Sequence, residues 1–514
     1  YGGPAWVNPQ KVFSLRRPDI LELPLTCANT NTALPYIDLV NETLSYYVKN
    51  TLSITGFSGH TTDDTASSAD LVAAAAFGDD AATQAANTIL KKAWGPAPLP
   101  FHRELALLRG HLEGLGVTLA DVLATFSVTD GVDPAGAPAP GVYRYAWRDV
   151  LAEQIGLSRA EHTVLTNYEL PELNPPNYGA GAAADCVRRL YAFPDGEPAA
   201  TVTAKLKGAL EVARRLDVTL AELADLLQTQ FVNPASPLIP LAEALKLEFA
   251  KIAELHAGLV ANTVTAAQVQ ALLPAQLDTA PYGGDVAAWL ADPAINQGLM
   301  ELIVIAPVSL SDASTMGLRY ADPARKEAPV DSVDLVRLAR FVRMWRKLGL
   351  SIDTTDRLLG SLLPAAAAAP ADALADLDSR LLTVLPRIAV ACETVKVLGL
   401  SPDESLDDVL ALWAPMSTTG PTSLYARMFL NSTATVDARL GRNQYGDVLT
   451  AAPGVTIGDV KALLCAGMQL AAAEFDAIIA PTGDGGLGYT DATVLTVANL
   501  TAIYRRGFLA RALQ

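Results

Sequence analysis

The stretch RRLDVTLAELADLL, residues 214–227, contains signals for the end of one helix and the start of the next. Asp217 ends an apolar helical pattern, and an apolar residue separates it from Thr219. The Thr219 hydroxyl can accept hydrogen bonds from first-turn amides, and Glu222, three residues later, can complete a capping box. The stretch therefore predicts a helical hairpin.

The same order of signals occurs along most of the chain at uneven intervals. The copies are EGLGVTLADVL at 113–123, EQIGLSRAEHTVL at 153–165, NTVTAAQVQALL at 262–273, LGLSPDESL at 398–406, GVTIGDVKALL at 454–464 and, less regularly, KLGLSIDTTDRLL at 347–359. We predict that Thr118, Ser158, Thr219 and Ser401 are helix N-caps. Uneven spacing indicates an irregular array rather than a strict solenoid. The predicted fold is all-α: an irregular array of helical hairpins forming an elongated, shell-like body.

Composition supports a helical chain and argues against two kinds of partner. Half of the 514 residues are hydrophobic, and Ala and Leu, which favour helices, supply much of that content. The formal net charge of −17 argues against nucleic acid and against anionic membrane surfaces. No run of 18 apolar residues occurs, so no membrane span is predicted. The four cysteines (Cys27, Cys186, Cys392 and Cys465) are far apart and are predicted to be buried or free thiols.

Long connections are predicted where small, polar, Pro or Gly residues cluster, at 55–70, at 129–142 and at 170–199, the last with one short helix. A further loop in 362–377 is predicted to enter a helix at Pro370. We interpret residues 1–514 as one helical fragment, with a division into sub-lobes 1–200 and 201–514 left open. The chain starts at Tyr1, which indicates a piece excised from a longer protein.

No catalytic, cofactor-binding or metal-binding residue is predicted. GDGGLG at 483–488 has the spacing GxGxxG, but the preceding residues predict a helix ended by Pro481 instead of the strand that a dinucleotide site needs. GFSGH at 56–60 is similarly predicted to be a loop. The five histidines (His60, His102, His111, His162 and His256) lack the spacing of metal ligands.

The stretch RLARFVRMWRKLGL, residues 337–350, is basic and amphipathic. Such a helix can bind a membrane surface or calmodulin. The favoured interpretation is a structural helix whose apolar stripe lies in the core and whose arginines pair with the surplus acids.

Six segments, in this order, resemble the A subunit of bacterial Tc toxins (TcA), the insecticidal toxin-complex family. The segment SLRRPDILELPLTCANTNTALPYIDLVNETL at 14–44 carries the most specific likeness, an RRPD turn followed by an LPYIDLVNE helix. Its helix is predicted to start after Pro35 and to bury Ile37, Leu39, Val40 and Leu44. The other five are LPFHRELALLRGHLEGLGVTLADVL at 99–123, LLQTQFVNP at 226–234, LARFVRMWRKLGLS at 338–351, SLYARMFLN at 423–431 and LTVANLTAIYRRGFLARAL at 495–513.

The resemblance implies a secreted, non-catalytic structural module, the α-helical shell around the translocation channel of a pore-forming toxin subunit. It implies self-association into a pentamer in the full-length protein, an indirect relation to a TcB–TcC cocoon, and a host-cell receptor as a further candidate partner. It implies no cofactor. The alternative that the sequence leaves open is a helical-array binding module for a host-surface protein or glycan.

Overall fold

The computed structural model describes most of the chain, with gaps. The described residues are 26, 36–55, 80–127, 131, 146–169, 182–194, 196–279, 282–306, 315–367, 370–418, 423–430, 437–441, 449 and 454–513. The polar turn before Pro35, the GFSGH segment and most of the predicted loops at 55–70 and 129–142 lie outside them.

Within these residues the chain forms 23 α-helices and one two-stranded hairpin, which confirms the predicted all-α fold. The elements are α1 Tyr36–Lys49, α2 Asp80–Lys92, α3 Arg103–Gly114, α4 Leu119–Thr125, α5 Trp147–Gln154, α6 Arg159–Thr166, α7 Ala182–Leu190, α8 Ala199–Leu206, α9 Ala209–Leu216, α10 Leu220–Leu227, α11 Ile239–Leu245, α12 Phe249–Val260, α13 Ala266–Leu272, α14 Val286–Ala291, α15 Pro293–Met300, β1 Ile303–Ala306, β2 Gly317–Tyr320, α16 Ser332–Leu348, α17 Ile352–Leu362, α18 Ala373–Val397, α19 Pro402–Leu410, α20 Leu424–Phe429, α21 Ile457–Gly467, α22 Ala472–Ile479 and α23 Val497–Ala512.

The chain divides into two compact units, Tyr1–Leu119 and Ala120–Gln514. The residues on either side of position 200 therefore belong to the same unit. In the first unit, α1 packs against α2. The burial predicted for the apolar face of α1 is wrong for Val40 and Leu44, because both side chains are exposed.

Capping boxes start several of the predicted helices. The hydroxyls of Ser158, Thr219, Thr265 and Thr456 each accept a hydrogen bond from the backbone N–H three residues later, and the acid or amide at that position accepts one in return. Thr118 directly precedes α4. Ser401 occupies the N-cap position of α19, as predicted, although its side chain makes no capping hydrogen bond. Thr496 and Asn499 form a capping box that the sequence analysis did not identify.

The core of the second unit forms around two long helices, α16 and α18. Helix α16 packs against α7, and α18 packs against α5, α6, α17 and α19. A second hydrophobic cluster joins α11, α12, α14 and α15, where Leu245, Ile252, Leu290 and Leu299 are buried. Consecutive helices therefore often pack together, as in helical hairpins, while α16 and α18 also contact helices far earlier in the chain.

The hairpin was not predicted. β1 and β2 pair antiparallel, with Ile303 opposite Tyr320 and Ala306 opposite Gly317. Each strand has only four residues. A run that short gives too few alternations to distinguish a strand from buried helix.

Two loop predictions fall partly on described residues. The short helix expected within 170–199 is α7, which confirms that prediction. The helix expected to start at Pro370 starts instead at Ala373, because the Asp372 carboxylate caps it by accepting hydrogen bonds from the Leu374 and Ala375 amides.

Candidate functional site

The basic stretch at 337–350 forms most of α16, and nine residues of this helix are buried. The buried residues include Phe341 and Val342 of the apolar stripe and also two arginines, Arg340 and Arg343. Gly349 ends the helix in the left-handed conformation, with φ of 66°. The favoured interpretation of this stretch, a structural helix with its apolar stripe in the core, is confirmed.

Arg340 forms the most deeply buried ion pair of the described residues. Its side chain has 0% exposure, and its Nη1 lies 2.5 Å from Asp378 Oδ1 on α18. Asp378 also accepts a hydrogen bond of 2.8 Å from the backbone N–H of Tyr168. Burial raises the pKa of Asp378, and the charge of Arg340 opposes that shift. One carboxylate therefore joins α16, α18 and the residues that follow α6.

The end of α16 is attached to two further helices. Lys347 Nζ lies 2.7 Å from Glu161 Oε1, and Glu161 also closes the capping box of α6 by accepting from the Ser158 N–H. Arg346 Nη1 lies 3.1 Å from Asp217 Oδ2, where α9 ends. Glu161 and Asp217 therefore have two roles each. Glu161 helps to cap the start of α6, and Asp217 caps the end of α9. We refer to Arg340, Arg346, Lys347 and their three acidic partners as the α16 ion-pair cluster.

Two groups beside this cluster have shifted pKa values. Burial lowers the pKa of Arg343 to about 10, although Glu161 opposes the shift. Burial raises the pKa of the neighbouring Cys186 thiol to about 12, which makes it an inert thiol at neutral pH. Cys186, Cys392 and Cys465 are free, as predicted, and Cys27 lies outside the described residues.

A second polar contact is formed by the LLQTQFVNP segment. The buried Asn233 side chain accepts from the Ile303 N–H at 2.9 Å and donates to the Ile303 carbonyl at 3.1 Å and to the Leu227 carbonyl. The Asp356 carboxylate accepts from the backbone N–H groups of Gln230 and Phe231, each at 2.8 Å. These bonds connect the turn after α10 to β1 and α17.

A third polar contact is formed by α23. The Tyr504 hydroxyl donates to Asp408 Oδ1 at 2.7 Å, and Arg505 Nη2 donates to the Ala414 carbonyl at 2.8 Å. The Thr501 hydroxyl accepts from the Met416 N–H at 3.1 Å. Helix α23 is thus attached to α19 and to the turn that follows it.

Two pockets of the second unit, both open to solvent, each have a volume of about 170 Å³. The first lies between α7, α8 and the start of α16, and it combines Arg188 with three carboxylates, those of Asp185, Glu197 and Asp331. The second lies between α16, α17, α18 and the Gln230 turn, and its charged lining residues are Arg337 and Arg380. Sequence reasoning identified neither pocket, because their linings come from segments far apart in the chain.

The glycine-rich motif GDGGLG and two of the histidines, which were considered as possible functional sites, make ordinary structural contacts. Pro481 follows α22 and leads into a 3₁₀ turn over Thr482–Asp484, so GDGGLG is a loop, as predicted. His102 accepts from the Leu105 N–H and caps α3, and His256 Nδ1 lies 2.8 Å from the Leu290 carbonyl oxygen. Across the described ranges, no three His, Cys, Asp or Glu side chains form a group that could hold a metal ion.

None of the helices described is both long and apolar enough to cross a membrane. The chain matches no protein-family model, no curated protein and no solved structure.

Proposed function

We propose that this chain is a non-catalytic scaffold, the α-helical shell module of a TcA-like toxin subunit. Six segments in the family's order support the proposal, and they run through nearly the whole chain. The all-α fold agrees with it. As parts of the same proposal, the full-length protein is secreted, assembles as a pentamer around a channel, and acts with a TcB–TcC-type cocoon.

The observation that carries the scaffold role is where the polar residues of these segments point. Asn233, Arg340 and Tyr504 belong to three different segments, and each bonds a distant element in the second unit. A catalytic group needs access to substrate, whereas these side chains are directed at backbone carbonyls, amides and partly buried carboxylates. Their chemistry is used to fix helices relative to one another.

One observation favours the alternative, a helical-array binding module. Helix α3 has no buried residue, and Leu107, Leu108 and Leu115 are exposed there or just after it. Exposed apolar side chains in a group are typical of surfaces that bind another protein. If the chain is a binding module, replacing these leucines by polar residues should abolish binding of a host protein or glycan. If it is a shell module, the same replacements should instead weaken self-association of the full-length protein.

The coding sequence on both sides of this chain tests the family assignment. We expect it to continue past Gln514 into long channel-forming helices of a TcA subunit. A neighbouring region that encodes an unrelated enzyme or receptor would contradict the assignment.

Two assays on the purified chain test the scaffold role itself. We expect no dye release from anionic liposomes at acidic, neutral or alkaline pH, because α16 is buried. We also expect no hydrolysis of glycans, peptides or nucleotides. Leakage would make α16 a membrane-active element, and hydrolysis that disappears when one of the histidines is replaced would make the chain an enzyme.

A further inference from the structure

The pocket between α16, α17 and α18 has an apolar body and a positively charged edge. Phe231, Leu377 and Pro364 supply apolar walls. Gly360 of α17 also lines it, and a β-carbon there would approach only Gln230 Oε1, at 3.6 Å. The absence of a side chain at Gly360 therefore helps to keep this space open.

The charged side chains that line this pocket are both positive, and the acids that pair with them lie outside the lining. Arg337 and Arg380 line it, and no Asp or Glu is among the described residues that do so. Arg337 uses Nη1 to reach Asp334 at 3.2 Å. Arg380 uses Nε to donate to the Pro364 carbonyl at 2.8 Å, and its Nη1 is 3.8 Å from Asp376. Each guanidinium has five N–H donors, so both retain donors for another acceptor.

The two guanidinium groups also repel each other. Burial is the main cause that lowers the pKa of Arg380; the charge of Asp376 opposes this shift, and the charge of Arg337 adds a smaller lowering effect. A bound anion would reduce this repulsion and could accept paired hydrogen bonds from a guanidinium. The other pocket of equal size differs, because Arg188 there already faces three carboxylates.

We propose that this second pocket binds a small monocarboxylate with an apolar body about the size of benzene. The volume of about 170 Å³ sets the size, since an apolar protein cavity of about 150 Å³ holds benzene. The carboxylate lies against Arg380 and Arg337, and the apolar body contacts Phe231 and Leu377. Such binding goes beyond a scaffold role and does not depend on the toxin assignment.

Saturation-transfer NMR on the whole chain tests the proposal, with sodium benzoate as the probe. Benzyl alcohol has the same ring without the charge, and inorganic phosphate has charge without the ring. Phosphate has no carbon-bound proton to observe, so its affinity is measured by how much of it displaces the benzoate signal. We expect benzoate to bind with a Kd on the order of 1 mM. It should bind at least about tenfold more tightly than either comparison compound, because only benzoate uses both the arginines and the apolar walls.

Two matched variants locate the site. Arg380→Met removes a pocket arginine, and Arg387→Met removes an arginine of the same helix that donates from Nη1 to the Leu362 carbonyl at 3.0 Å but does not line the pocket. We expect R380M to weaken benzoate binding at least about tenfold and R387M to change it less than about twofold. The wild-type comparison of the three compounds stands even where a variant fails to fold.

Three results would overturn the proposal. One is the absence of benzoate binding to the wild-type chain. Another is binding of benzyl alcohol or phosphate as tight as that of benzoate. The third is equal weakening of benzoate binding by R387M and R380M.

Discussion

Helices α16 and α3 contradict the simplest expectation from their composition. α16 carries five basic residues between Arg337 and Lys347, yet it lies in the core of its unit. α3 carries Leu105, Leu107, Leu108 and Leu112, yet none of its residues is buried. Partners explain the difference for α16, because Asp378, Glu161 and Asp217 of other elements pair with three of its basic residues. Burial is thus decided by what a helix meets, as well as by its own pattern.

The largest expected effect comes from breaking the buried ion pair of α16. Asp378→Ala leaves the Arg340 guanidinium, which has 0% exposure, without its acid. We expect a loss of about 3–5 kcal/mol in the free energy of unfolding, measured by urea denaturation. The double variant R340M/D378N should recover most of that loss, because neither member of the pair is then charged and the amide oxygen can still accept from the Tyr168 N–H.

Arg346→Met is the control for this first prediction, on the same helix. Its acidic partner, Asp217, has a side chain that is 76% exposed. We expect a loss of about 1 kcal/mol or less. A loss as large as that of D378A would mean that the depth of burial does not determine the strength of these pairs.

The same substitution in both helices measures the contrast directly. Leu338 of α16 is 2% exposed, and Leu108 of α3 is 46% exposed. Leu338→Ala should lower the free energy of unfolding by about 2–5 kcal/mol, because it leaves a cavity in the core. Leu108→Ala should change it by no more than about 0.5 kcal/mol. Equal losses in urea denaturation would show that α3 is covered in solution.

A smaller effect is expected at the helix caps. Thr219→Ala removes the hydroxyl that accepts from the Glu222 N–H at 3.1 Å, and we expect it to cost about 1 kcal/mol. Ser401 occupies the same position without a capping bond from its side chain, so Ser401→Ala is the control and should cost less than about 0.5 kcal/mol. A loss at Ser401 equal to that at Thr219 would contradict the difference between the two caps.

The smallest effect is a dependence on pH. Burial raises the pKa of Asp334, while Arg337 and the Tyr320 hydroxyl oppose that shift. The native state therefore binds this proton more tightly than the unfolded chain. The resulting stabilisation is complete below the unfolded pKa of about 4 and is lost as the pH rises through the folded pKa. As the pH rises from about 4 through the folded pKa of Asp334, the free energy of unfolding of the wild type should fall more than that of the Asp334→Asn variant.

Asp437→Asn is the control for the pH dependence, because the pKa of Asp437 is shifted in the opposite direction from that of Asp334. Arg439 lowers the pKa of Asp437 to about 2 by hydrogen bonding to its carboxylate. Stabilisation by this group is therefore present above the unfolded pKa and is lost as the pH falls toward about 2. Urea titrations at several pH values that showed the same slope for both variants would contradict the assigned directions.

The sequence predicted local features well and long-range contacts poorly. Ser158, Thr219, Thr265 and Thr456 have capping partners three residues away, so a short window contains the whole interaction. The bonding roles of Asn233 and Asp378 were not identified, because their partners are distant in sequence. Asn233 bonds Ile303, 70 residues later, and Asp378 pairs with Arg340, 38 residues earlier. The exposure of Val40 and Leu44 was missed for the same reason, since an apolar stripe does not specify whether another element covers it.

The pocket that contains Arg380 shows the same limit for the candidate site. Its apolar walls come from the turn after α10, from the end of α17 and from α18. No local pattern marks Phe231, Gly360 and Arg380 as neighbours. A lone Gly in a helix is a weak signal of a packing or functional reason, and Gly360 is the residue where that signal could have been read.

Hydrogen exchange measured by mass spectrometry tests the central claim, that α16 is a buried structural helix fixed by its ion pairs. We expect the amides of the buried part of α16, Leu335–Met344, to exchange only through global unfolding. Amides of Arg103–Gly114 in α3 should exchange by local opening, orders of magnitude faster. Exchange in α16 as fast as in α3 would contradict the claim and would return α16 to the class of exposed, surface-binding helices.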